Sequence, residues 1–140
     1  GELGSRRNSS RLMLEVNRTA RTIYGRAIPW DIVVLLNRQR IALVKDALIW
    51  SGEPLSLLLR HDSSLIVGRV IDMQSASDGL WAHLLVARGN RGDKALALVE
   101  AGWGFSLGFT TIEAESRGGT EWTTRGDIDE LSLVPKPAFP

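Results

Sequence analysis

Leu65-Ile66-Val67-Gly68-Arg69-Val70-Ile71-Asp72-Met73, then Gln74-Ser75-Ala76-Ser77-Asp78-Gly79, then Leu80-Trp81-Ala82-His83-Leu84-Leu85-Val86-Ala87, carries the clearest fold signal in the sequence. Its first part is rich in Val and Ile, its middle collects Ser, Asp and Gly, and its last part is apolar again. Branched apolar residues suit a pleated surface, and Asp78-Gly79 is a dipeptide that favours a hairpin turn. Two antiparallel strands joined through Gln74 to Gly79 are therefore expected.

The same signals recur on both sides. Leu12 to Val16 alternates apolar and polar residues, and Thr22 to Ile28 continues in that style until Pro29. Leu55 to Arg60 is nearly all leucine, as in a strand buried on both faces. Asp31 to Leu36 is too short to classify, Arg40 to Trp50 suits a strand or a short helix, and Gly52 and Pro54 then break the chain. Downstream, Asp93 to Ala101 spaces Ala95, Leu96, Leu98 and Val99 as a helix does, with Asp93 as N-cap and Gly102 as stop. Phe105 to Glu115 alternates as a strand, and Gly118-Gly119 turns it back into Glu121 to Thr124. Ile128 to Val134 is the last strand before Pro135, Pro137 and Pro140. The expectation is one mainly β domain with a helix, built of short antiparallel strands as a barrel or sandwich.

The bulk numbers agree with a single domain. A chain of 140 residues, 44% hydrophobic and 24% charged, has enough material for one core. Its net charge of +1 favours neither nucleic acid nor a membrane surface as partner. Arg6, Arg7, Arg11, Arg18 and Arg21 crowd the start and read as a solvated arm. Residues 1–11 are expected to be a tag remnant or flexible leader, and residues 12–140 the domain. No cysteine is present, which removes disulfides, thiol catalysis and Cys-based zinc sites, and suits a reducing compartment such as a bacterial cytoplasm. No apolar run reaches the ~20 residues of a membrane helix. No zinc motif, phosphate loop or dinucleotide fingerprint appears, so no metal and no cofactor are expected. Arg-Gly-Asp occurs at Arg91 to Asp93 and at Arg125 to Asp127, and both copies read as turns. Trp30, Trp50, Trp81, Trp103 and Trp122 follow no regular spacing and read as core.

Chemistry concentrates in Gly102-Trp103-Gly104-Phe105-Ser106-Leu107-Gly108-Phe109. In a strand, Ser106 shares a face with Gly104 and Gly108, so its hydroxyl sits in a notch that a substrate backbone can reach. The bland reading of the same stretch is a strand packed closely on a neighbour, with an incidental serine. Gly104 to Gly108 matches the G-x-S-x-G elbow of α/β-hydrolases, but both histidines precede Ser106 where that fold needs one after it. A serine nucleophile needs a base, and only His61 and His83 are available. His61 ends the leucine strand beside Asp62, Ser63 and Ser64. His83 lies mid-strand between Trp81 and Leu85 and reads as a packed strand residue. Asp129 and Glu130 are the candidates for the acid that orients the imidazole. Their opposite parity lets only one point at a given site, and the residues alone leave the choice open.

Three blocks in order resemble the tailed-phage prohead (capsid maturation) proteases. They are Leu57-Leu58-Leu59-Arg60-His61-Asp62 with Val67-Gly68-Arg69, then Phe105-Ser106-Leu107-Gly108-Phe109 after a short helix, then Glu130-Leu131-Ser132-Leu133-Val134 running into Pro137-Ala138-Phe139-Pro140. The resemblance spans Tyr24 to Pro140; the family's Pro-Gly-Ala-Phe-like turn has no match, and Val44-Lys45-Asp46-Ala47-Leu48 stands in its place. It implies a β-barrel like that of the herpesvirus assemblins and a serine endopeptidase with a Ser-His-Glu triad of Ser106, His61 and Glu130, which chooses Glu130 over Asp129. Backbone N–H groups near Leu107 and Gly108, or a nearby arginine, are the candidates for the oxyanion site. The implied substrates are capsid scaffold, major capsid protein and the protease itself, cut inside the assembling prohead in the bacterial host cytoplasm. A homo-oligomeric state is left open. The rival expectation is a catalytically silent capsid-assembly or scaffold protein on the same barrel, and a further rival is an unrelated β-barrel binding module.

Overall fold

The computed structural model describes residues 14–140. Its strands are β1 (Glu15–Asn17), β2 (Thr22–Pro29), β3 (Val34–Leu36), β4 (Gln39–Leu43), β5 (Ser56–Leu59), β6 (Asp62–Ala76), β7 (Gly79–Val86), β8 (Gly104–Arg117) and β9 (Thr120–Val134). One helix, α1 (Asn90–Glu100), stands between β7 and β8. The leader expected at residues 1–11, together with Arg6, Arg7, Arg11, Leu12 and Met13, lies outside the described residues.

The hairpin that decided the sequence reading is β6 and β7. Its inward residues Leu80, Ala82, Leu84 and Val86 are buried while Trp81, His83 and Leu85 are not, the period-two pattern of a half-buried strand. The turn itself differs from expectation. Ala76 pairs with Gly79, so Ser77-Asp78 is the loop and Gly79 already belongs to the strand. Gly79 lies against the backbone of Ile28, where a Cβ would come within 2.4 Å of the carbonyl oxygen; close approach to β2 explains the glycine.

All strands join one sheet in the order β1-β2-β7-β6-β5-β9-β4-β3, with β8 also paired to β9. The sheet bends until β2 nears β8, but no ladder joins them, so it is an open sheet and not a closed barrel. Nor are all its pairings antiparallel. β9 runs parallel to β4 at Thr120–Thr123 and parallel to β5 at Leu131–Leu133, while β8 follows its other edge. The two final strands expected from sequence are thus one strand, carried past Arg125-Gly126-Asp127 by bulges rather than broken by a turn.

Helix α1 starts earlier than expected, with Gly89 at the N-cap. Asp93 sits in the first turn and pairs with Arg21 at 2.9 Å instead of capping. Arg91-Gly92-Asp93 is therefore helical, not a turn. Ala95, Leu96 and Val99 enter the core, and Gly102 (φ +106°) ends the helix as expected. Arg18, paired with Glu100 at 2.9 Å, and Arg21 brace β1 and β2 against α1, so these two arginines are not part of a solvated arm. Leu57, Val67, Leu84, Leu96, Leu131 and Leu133 are fully buried, each contributing about 1.5–3 kcal/mol by leaving water. Of the tryptophans only Trp30 lies in this core. Trp50 and Trp103 pack at its margin, and Trp81 stacks on Tyr24 outside it.

Candidate active site

β5 delivers His61. Leu57, Leu58 and Leu59 are buried, which fixes the strand, and Leu59 pairs with Asp62 across a two-residue turn made of Arg60 and His61. Such turns need left-handed backbone at both central residues. Arg60 (φ 51°) and His61 (φ 63°) supply it without glycine, at a cost of about 1–2 kcal/mol per residue. His61 is thus a turn residue rather than the end of a strand. Contacts with β9 and with the residue just before β8 hold the turn. The Arg60 N–H donates to the Leu133 carbonyl at 3.0 Å, the His61 N–H donates to Ser132 Oγ at 3.1 Å, and the Arg60 guanidinium lies 4.8 Å from the Trp103 ring centroid.

The ring of His61 meets Glu130 through Nδ1 and Oε1. A carboxylate there favours the Nδ1–H tautomer, which leaves Nε2 as a free acceptor. Glu130 is partly buried and His61 half-exposed. Asp129 is engaged elsewhere, accepting from Thr110 Oγ1 at 2.6 Å, and a bulge between Ile128 and Glu130 sets the two acids apart. Asp62, next to His61 in sequence, is also taken: hydrogen bonds from the hydroxyl and the backbone N–H of Ser64 hold its carboxyl below the usual range.

β8 delivers Ser106. Across the β8–β9 ladder Ser106 faces Ser132 and Gly108 faces Glu130. Directly opposed residues project to the same side of a sheet, about 4.5–5.5 Å apart at Cβ. Ser106 therefore shares its side with Glu130 and with the Ser132 hydroxyl that holds the His61 backbone. Ser106 and His61 both line one groove of about 510 Å³, with Gly108, Leu36, Ile41 and Phe139 among its other walls. Among the described residues no hydrogen bond joins Ser106 to His61; resting sites of this kind are often looser than their substrate complexes.

The glycines beside Ser106 are both points of close approach. A Cβ on Gly104 would lie 2.7 Å from Pro137 Cγ, and one on Gly108 would lie 3.3 Å from Glu130 Cβ. Close packing accounts for both, so the notch around Ser106 is bounded by Pro137 and Glu130 rather than open on each side. Leu107 and Gly108 line the groove on a strand whose only ladder partner among the described residues is β9, so alternate N–H groups of β8 face away from that ladder.

His83 is remote from this arrangement. It pairs across strands with Tyr24, packs edge-on against that ring at 5.8 Å, and borders a different depression with Glu15 and Arg18. Among the described residues no three His, Cys, Asp or Glu side chains converge as metal ligands. Sequence reasoning missed Ser132, Pro137, Phe139 and the β3–β4 hairpin as parts of the site. Only Ser132 carried a signal, as a lone hydroxyl in the apolar run Leu131 to Val134.

No protein-family model, no curated protein and no solved structure matches the chain.

Proposed function

We propose that the protein is a serine endopeptidase in which Ser106 is the nucleophile, His61 the general base and Glu130 the acid that orients it. The observation that carries this reading is the contact of His61 Nδ1 with Glu130 beside the groove that Ser106 also lines. His61 Nε2 takes the Ser106 proton as the hydroxyl oxygen attacks a peptide carbonyl, and Glu130 offsets the charge gained by the imidazole. The oxyanion is received by whichever backbone N–H of Leu107 and Gly108 turns away from β9. The proton on Nε2 then passes to the leaving amine, and water releases the acyl group from Ser106. The apolar walls Leu36, Ile41 and Phe139 suit apolar side chains of an extended peptide.

The ordered resemblance of the three blocks supports a narrower form of the proposal: a prohead protease of a tailed phage, cutting scaffold, major capsid protein and itself within the assembling capsid in the host cytoplasm. On that reading the open sheet is a variant of the assemblin-like barrel. The test is reaction with a peptidyl phosphonate followed by peptide mass mapping. Modification confined to Ser106 is expected. A chain that stays unmodified removes the proposal and favours a silent assembly protein or an unrelated binding module, and modification at another serine removes Ser106 as the nucleophile.

A further inference from the structure

Resting on that reading of Ser106 and His61, we propose that Ser132 is a positioning residue whose buried hydroxyl sets the backbone of His61 and so aims its ring at Ser106. Ser132 is fully buried between Leu131 and Leu133, themselves fully buried. A hydroxyl in such a place costs stability unless it is hydrogen-bonded, and an apolar side chain would pack there at lower cost. Its partner is the His61 N–H at 3.1 Å. With no exposed surface it cannot receive a substrate carbonyl, which separates it from the partly buried Ser106 across the ladder.

The geometry explains what the bond is for. Arg60 and His61 both hold left-handed backbone, a conformation neither prefers, so the turn needs outside support. Glu130 fixes the ring, and Ser132, two residues along the same strand and on the same side, fixes the backbone. With both fastenings the Cα–Cβ direction and the ring plane are set together; with Glu130 alone the turn can tilt while the ring contact survives. Misplacement by about 1 Å in such a pair can cost about 10²-fold in rate.

The experiment compares inactivation by a peptidyl phosphonate in wild type, Ser132→Ala, Ser132→Cys and Ser132→Thr, separating the limiting rate of Ser106 modification from the reagent affinity. Ser132→Ala is expected to lower the limiting rate about 10- to 100-fold and to leave affinity within about twofold. Ser132→Cys nearly keeps the volume but accepts weakly, so it should resemble alanine and carries the test if alanine proves too unstable. Ser132→Thr keeps the hydroxyl and should restore most of the rate. A parallel ¹H–¹⁵N spectrum of the His61 backbone amide needs no activity: slow hydrogen exchange in wild type should become fast in Ser132→Ala, while Glu130 keeps the ring in its Nδ1–H tautomer. If wild type is never modified at Ser106, the protease reading falls, and the spectrum still decides whether Ser132 holds His61. If Ser132→Ala and Ser132→Cys react at the wild-type limiting rate with an unchanged His61 spectrum, Ser132 is ordinary core and the inference is wrong.

Discussion

Glu130→Gln tests the proposed site most directly, because Asp129→Asn next to it is a control on the same strand. The Glu130 carboxylate meets the His61 ring at Nδ1 with 28% of its side-chain surface exposed, against 48% for the ring. A charge-assisted hydrogen bond contributes about 1.5–3 kcal/mol. At about 1.4 kcal/mol per factor of ten, loss of the charge alone should slow Ser106 acylation about 10- to 100-fold. Solvent at the half-exposed ring argues for the lower half of that range. Glutamine can still accept from Nδ1–H through its amide oxygen and keep the tautomer. If the amide turns its NH₂ toward the ring, the wrong tautomer is favoured and the loss can grow toward about 10⁴. Asp129 bonds to Thr110 on the exposed part of the hairpin, so Asp129→Asn should change the rate by no more than about twofold. The assay is the rate of phosphonate modification at Ser106, with folding followed by circular dichroism. A Glu130→Gln variant that keeps more than about half of the wild-type rate, or an Asp129→Asn variant slower than it, refutes the assignment.

Ser106→Ala should abolish modification and leave the melting temperature nearly unchanged, because the side chain is only partly buried beside glycines; a modified alanine variant would place the nucleophile elsewhere. His61→Ala should be almost as damaging, while His83→Ala should react as wild type does, since it packs on Tyr24 away from the groove; the reverse ranking in the same assay would exchange the base. Ser64→Ala should weaken the protein near neutral pH but not in strong acid. Hydrogen bonding to Ser64 lowers the folded-state pKa of Asp62, so its contribution is present above the ordinary carboxylate range and is lost as pH falls through the lowered value. Acid unfolding followed by circular dichroism should therefore begin at higher pH in the variant, and an identical acid midpoint would contradict the role of that pair.

Local rules made the hairpins legible and non-local pairing hid the rest. Alternation in Leu80 to Val86 and the glycines at Gly118-Gly119 depend on neighbours in sequence, and both proved as expected. The Ser77-Asp78 turn was misplaced by one residue because Gly79 was read as turn-forming, whereas it makes room for the backbone of Ile28. Asp93 has the composition of a helix cap, but its partner Arg21 comes from the β1–β2 turn, far away in the chain. The unbroken β9 was unreadable for a similar reason. Arg125-Gly126-Asp127 has turn composition, and only the ladder with β8 and the Leu48 bridge to Gly126 keep it extended.

The candidate site shows the same division, with β9 as the element that settles it. Residue types alone nominated Ser106 and His61 and left Glu130 and Asp129 even. The decision lies in a bulge at Ile128–Glu130, which assigns Glu130 to the side of Gly108 and leaves Asp129 to Thr110. Register then does the rest. Glu130, Ser132 and Leu133 meet, in turn, the His61 ring, the His61 N–H and the Arg60 N–H, so three positions of a single strand hold the turn that carries the proposed base. Because β8 is paired to that same strand, Ser106 is placed against the same reference. A slip of one residue in the β8–β9 register would send Ser106 to the opposite face of the sheet and separate it from His61, whatever the rest of the fold did. The buried Leu131 and Leu133 that flank Ser132 prevent that slip by anchoring β9 in the core, which makes this apolar pair part of the site's geometry although neither side chain reaches the groove.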